Sequence, residues 1–232
     1  MHFGRIILLF ALMPLVAMLV LEVALYRDRD RYGPLDRPLL VIDEDLGASL
    51  LTRSGEVQAP APDRPVSLEG IPSALPRALL IQEDQAFYEH RGYHPREMYM
   101  ALREFLWEGK RLRGASTITQ QLARTLFLSR EKTARRKLLE IRVARILERN
   151  LTKDRILELY LNHVYWGKNQ HGVGSVSALY FGKPPLLLTD EEAAYLVSLL
   201  PNPDICGKLL TCSTPRLSKR QERILKLLRK DG

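Results

Sequence analysis

Between Arg5 and Glu22 the chain reads IILLFALMPLVAMLVL, sixteen residues without a charge, and this run restricts the fold more than any other stretch. Such a run is unsuited to a water-exposed surface. With Val23 to Tyr26 beyond Glu22 it approaches the roughly 20 apolar residues of a membrane-spanning helix, in which Pro14 is tolerated. No small-x-small cleavage pattern follows it, so residues 1–26 are expected to be a retained anchor and not a removed signal peptide. Positive charges beside the run, Arg5 before it and Arg27, Arg29 and Arg31 after it, taken alone would leave the rest of the chain in the cytoplasm.

The 232 residues of the whole chain leave room for one ordinary core. Residues 27–72 are punctuated by proline, as in APAPDRP at 59–65, and read as a linker or stalk with short extended pieces. Residues 73–232 carry helix signals in succession. Ser116 or Thr117 stands as a cap before ITQQLARTLFL, a long run extends from Thr133 to Asn150, and KDRILELYLN starts at Lys153. Thr189 precedes Asp190, Glu191 and Glu192 in a helix that ends before Pro201, and a last helix runs from Pro215 to Arg229. The fold class expected is mostly α. Cys206 and Cys212 are too few for a disulfide scaffold and have no CxxC spacing; they either pair or stay as two thiols.

The formal charge of +8 is local: residues 101–150 carry 13 basic and 5 acidic side chains. A basic stretch alone suits nucleic acid or phosphate-bearing lipid equally well. REMYMALREFLWEGKRLR at 96–113 mixes Met98, Met100, Phe105 and Trp107 with cations, as in a segment lying among lipid headgroups, although a core helix with a cationic tail reads the same way.

Chemistry-bearing residues fall in four stretches. EDQAFYEHRGYHP at 83–95 follows the apolar ALLI, and an apolar wall raises a carboxylate pKa, so Glu83 reads either as a general base or as a plain acidic helix end. GASTITQQLART at 114–125 brings hydroxyls, amides and backbone N–H groups to a helix start behind Lys110, Arg111 and Arg113, a setting for anionic or sugar oxygens. In RRKLLEIRVARILERN at 135–150, Arg136 and Lys137 share a helix face with Glu140 and should hold it ionised. Two carboxylates in opposed environments are the pattern of a divided acid/base or stabilising pair, whereas a salt-bridged solvent face is the plainer alternative for the second. In the fourth stretch, 153–183, Glu158 and Asn162 lie one turn apart, and most of its residues read as structural. His163 and His171 lack the spacing of a zinc site.

In this order EDxxFxxHxG (83–92), GxSTITQQ (114–121), RKxxE (136–140) and KxxILExYLNxxxxG (153–167) resemble the peptidoglycan glycosyltransferases of family 51, with LLPNP at 199–203 and the anchor most like the monofunctional biosynthetic transglycosylases. The resemblance implies a lysozyme-like glycosyltransferase domain on the periplasmic side of the inner membrane, against the local charge count. It implies polymerisation of lipid II into β-1,4 glycan strands with inversion and release of undecaprenyl pyrophosphate. Glu83 is then the base and Glu140 the second carboxylate, with Mg²⁺ or Mn²⁺ as an optional ion and no cofactor required. Substrate contacts are implied at Asp84, Phe87, His90, Gly114, Ser116, Thr117, Gln120, Gln121, Arg124, Arg136, Lys137, Glu158 and Asn162. Arg124 with Thr125 departs from the family's usual Lys-Asn. Membrane lipids and the growing glycan are implied partners, with transpeptidases and divisome or elongation proteins as further candidates, and nucleic acid is not among them. The chain is expected to carry no transpeptidase domain. A wall lyase or hydrolase on a related fold and a non-catalytic scaffold are the competing readings.

Overall fold

The computed structural model describes residues 40–43, 47–50, 64–109, 114–128, 133–206 and 212–230. The anchor expected at 1–26 and the basic residues Lys110, Arg111 and Arg113 lie outside them. Among the described residues no helix is long and apolar enough to cross a membrane. Strands β1 (Leu40–Asp43) and β2 (Gly47–Leu50) pair antiparallel, Leu40 opposite Leu50. Among the described residues all other regular structure is helical apart from one short hairpin, so the mostly α expectation stands.

The helices are α1 (Ala74–Glu83), α2 (Pro95–Trp107), α3 (Ile118–Phe127), α4 (Ala134–Asn150), α5 (Lys153–His163), α6 (Val173–Phe181), α7 (Asp190–Leu199) and α8 (Pro215–Lys230). Their starts follow from the caps. Thr117, Thr133, Thr152 and Thr189 each accept from the backbone N–H three residues on. At Thr117 and Thr189 the third residue, Gln120 or Glu192, reaches back to close a capping box. Each cap satisfies donors that a bare helix start leaves open and contributes about 1 kcal/mol.

Burial then sets the packing. Leu75, Ala78 and Leu79 of α1, Ile141, Ala144 and Leu147 of α4, and Leu217, Ile224 and Leu228 of α8 each recur at helical spacing and are buried. Helices α1, α7 and α8 pack on one another, α3 packs on α4 and α5, and one continuous apolar cluster joins the two groups. Cys206 and Cys212 form a disulfide, which decides between the two states left open by their spacing.

Two features correct the expected organisation. The stalk was to end at 72, yet Val66, Leu68 and Ile71 pack into the core, with a 3₁₀ turn at Leu68–Gly70, so the folded body includes residues 64–72. Short strands β3 (Tyr165–Gly167) and β4 (Gln170–His171) also form a hairpin between α5 and α6. Its two-residue loop, Lys168 and Asn169, has positive φ at both positions, the backbone of a type I′ turn. Gly167 fits there because a Cβ would stand 2.2 Å from the Pro203 carbonyl oxygen.

Candidate active site

Glu83 ends α1, with its side chain at the start of α3 and the side of α5. Gln121 Nε2 donates to Glu83 Oε2 at 3.0 Å, and the Tyr160 hydroxyl donates to Gln121 Oε1 at 2.9 Å. Burial raises the Glu83 carboxyl above the ordinary carboxylate range, while Gln121, Arg220, Gln82 and Arg124 pull it back in part. A carboxyl desolvated in this way is a competent proton acceptor near neutral pH.

The rest of the first motif is a brace. Asp84 accepts from the Ile118 backbone N–H at 2.9 Å and from His90 Nε2 at 2.9 Å. His90 Nδ1 accepts from Gly92 N, which leaves the ring hydrogen on Nε2. Thr117 Oγ1 donates to the Gly92 carbonyl at 2.7 Å while capping α3. Gly92 adopts φ +95° with its α-carbon against α4, where a Cβ would stand 2.9 Å from the Ala144 carbonyl. Phe87 is fully buried, with the Lys153 ammonium 4.4 Å above its ring. Asp84, Phe87, His90 and Thr117, expected as substrate contacts, here engage one another, Ile118, Gly92 and Lys153, and fix the end of α1 to the start of α3.

The second carboxylate sits in a cationic cluster on α4. Arg136 Nη1 binds Glu140 Oε1, and Lys137 Nζ donates to Glu140 Oε2 at 2.8 Å and to Ser116 Oγ at 2.6 Å. The Glu140 side chain is 1% exposed, against 15% for Arg136 and 35% for Lys137, so the carboxylate lies beneath and the cations reach outward. Burial, then Arg124 and Arg136, lower Lys137 to about 8. Gln120 Oε1 accepts from Thr117 N, while Gln120 Nε2 and Arg136 Nε have no hydrogen-bond partner among the described residues. A buried amide donor and a buried guanidinium donor beside the Lys137 ammonium are the chemistry of an anion site.

Helix α3 ties the two carboxylates together. Neighbouring Gln121 and Gln120 serve Glu83 and the Lys137 cluster respectively, and exposed Arg124, one turn on, acts electrostatically on both Glu83 and Lys137. Among the described residues, Gly114 has no atom other than those of its own chain neighbours within 4 Å of where a Cβ would be.

Glu158 and Asn162, also expected as substrate contacts, clamp the entering chain. Glu158 Oε2 accepts from Leu68 N at 2.8 Å and pairs with Arg155. The Asn162 amide bonds both backbone groups of Val66, at 2.9 and 2.8 Å. The i, i+4 spacing correctly put them on one face, but only the packed chain shows what that face holds.

Sequence reasoning passed over Tyr160 and Arg220. A tyrosine on the apolar face of α5 signals a buried hydroxyl in need of a partner, without naming the partner. Arg220 carries no local signal, because α8 reaches Glu83 only through tertiary packing.

The divalent ion fits poorly. Glu140 is one carboxylate with a cation on each oxygen, and no group of three His, Cys, Asp or Glu among the described residues is placed to hold a metal.

A family model described as transglycosylase matches residues 52–229. The chain is 42% identical over 168 residues to penicillin-binding protein 1A of Escherichia coli (strain K12), covering 72% of this chain and 20% of that protein. It is 41% identical over 163 residues to the biosynthetic peptidoglycan transglycosylase of Nitrosomonas eutropha, covering 70% and 66%. Penicillin-binding protein 4 of Bacillus subtilis (strain 168) is 40% identical over 167 residues, covering 72% and 26%. The chain thus spans about a fifth to a quarter of the two penicillin-binding proteins and just under two thirds of the transglycosylase.

Proposed function

The chain belongs to the transglycosylase family, and from that membership we propose that it is a peptidoglycan glycosyltransferase that polymerises lipid II into β-1,4 glycan strands. The observation that carries the reading is the anion site of Lys137, Arg136 and the unpartnered Gln120 Nε2, linked by α3 to a desolvated Glu83. A polymerase needs both a base and a holder of pyrophosphate. A hydrolase acting on uncharged glycan needs no holder for a pyrophosphate.

In this reading Glu83 takes the proton of the acceptor sugar's 4-hydroxyl as that oxygen bonds to the anomeric carbon of the growing chain. The bond from that carbon to the lipid pyrophosphate breaks, and attack from the opposite face turns an α into a β linkage. Lys137, Arg136, Gln120, Ser116 and Arg124 receive the charge that accumulates on the leaving pyrophosphate. Glu140 acts from below, holding Lys137 and Arg136 in place and balancing them when substrate is absent. No step runs through a metal ion. Asp84, Phe87, His90, Thr117, Glu158 and Asn162 position these groups from inside the fold, and Gly114 leaves open space at the entrance to α3.

The same reading includes a lysozyme-like arrangement of the helices, a single anchor at 1–26 and a catalytic domain on the periplasmic side, where a disulfide between Cys206 and Cys212 is at home. Membrane lipids and transpeptidases or divisome and elongation proteins are its proposed partners. A periplasmic reporter fused after Gly232 tests the orientation, and cytoplasmic activity of the fusion would overturn it. For the activity, purified full-length protein is incubated with labelled lipid II. Polymer that a muramidase digests is expected from the wild type and none from Glu83→Gln; no wild-type polymer, or equal polymer from the variant, rejects the reading.

A further inference from the structure

Tyr160 is 1% exposed in the middle of α5, and its hydroxyl has one hydrogen-bond acceptor, Gln121 Oε1 at 2.9 Å. Gln121 in turn offers Nε2 to Glu83 Oε2 at 3.0 Å. A carboxamide can rotate by half a turn and present oxygen where it presented nitrogen, and each orientation suits a different charge on its neighbour. An ionised Glu83 only accepts, so it requires the Gln121 nitrogen. A protonated Glu83 donates, and would draw the Gln121 oxygen to itself. That second arrangement turns the Gln121 nitrogen on the Tyr160 oxygen and strands the buried hydroxyl hydrogen, an arrangement that costs a hydrogen bond.

We propose that Tyr160 is a positioning residue for the base: its hydroxyl locks the Gln121 carboxamide in the orientation that donates to Glu83, and so keeps Glu83 the acceptor of a proton. Burial holds Tyr160 itself protonated well beyond neutral pH, so the lock is present throughout the working range. The proposal rests on Glu83 as base but adds a residue that never meets substrate. The other groups bearing on Glu83 are Gln82 beside it on α1, Arg124 on α3 and Arg220 on α8, and all three favour its ionised form without fixing the Gln121 amide.

Tyr160→Phe removes the hydroxyl and keeps the ring. The acidic limb of the pH–rate profile for lipid II polymerisation is then expected to move upward by about half to one pH unit, the size of one net hydrogen bond. Above the limb kcat should recover to within about twofold, and KM should stay level. An unmoved limb, or a kcat lowered equally at every pH, overturns the proposal. The Glu83 carboxyl is also followed by carbon-detected NMR titration of the full-length protein, its signal assigned by loss in Glu83→Gln. There Tyr160→Phe and Gln121→Met should both raise the titration midpoint, and the double variant should exceed Gln121→Met by little. Additive shifts would show that Tyr160 acts by another route and would sink the lock. If the wild type makes no polymer, the proposed function falls while the titration still decides the role of Tyr160.

Discussion

Glu83 and Glu140 are the same residue type within one site, and their surroundings drive them apart. Glu83 has neutral amide partners, a buried setting and only remote cations, so its proton affinity rises. Glu140 is more deeply buried and has a cation on each oxygen. Burial by itself does not decide what a carboxylate does; the charge of its direct partners does. One carboxylate is thereby free to exchange a proton, while the other is part of the frame that holds two cations toward the ligand.

The sharpest test of the contrast is to neutralise each in turn. Glu83→Gln should cut polymerisation by about 10²–10⁴-fold, the range for losing a positioned base, and leave the melting temperature unchanged or slightly higher because a desolvated acid is gone. A variant with wild-type turnover would break the comparison at its first term. Glu140→Gln should do the reverse in stability, leaving Arg136 and Lys137 without their counter-charge. The cost is about 2–4 kcal/mol in chemical denaturation, below the full penalty for a buried pair because Lys137 is 35% exposed. Equal unfolding midpoints for the two variants would mean that the cations do not depend on Glu140.

A smaller effect is expected outside the pair. Asn162→Ala unties Val66 from α5 and should cost about 1–3 kcal/mol in the same denaturation assay, with the rate per folded molecule retained. A selective loss of turnover would return Asn162 to the substrate contacts. The smallest test is the pH profile. Glu83 sits above the ordinary carboxylate value and must be ionised, so activity is lost as pH falls through that raised value. Lys137, lowered to about 8, must be protonated, so activity is also lost as pH rises through about 8. A bell between these limits is expected, and replacement of Lys137 by Arg should push its basic limb upward; a basic limb that stays near 8 in Lys137→Arg assigns it elsewhere.

Much of this was legible along the chain. The cap at Thr117, the run from Thr133, the start of α5 at Lys153 and Thr189 before its acidic turn are local, because a helix start is defined within one or two turns. Arg136, Lys137 and Glu140 lie within one turn of a helix, so their cluster was also visible. The clamp of Asn162 on Val66 spans 96 positions and the brace from Asp84 to Ile118 spans 34, and neither separation carries a periodicity to read. The motif letters carry no mark of these internal bonds, which form only when the distant segments pack.

The sequence by itself determined the starts of α3, α4, α5, α7 and α8, the local charge of the α4 cluster and the four motifs in order. Tertiary structure alone decided which polar groups face inward, that residues 64–72 belong to the folded body, and that Cys206 pairs with Cys212. It also decided that Tyr160 and Arg220 bear on Glu83 from α5 and α8. The physical reason is range: capping and amphipathic spacing act over a few residues, whereas desolvation and hydrogen-bond partnership depend on what distant segments bring to the same place.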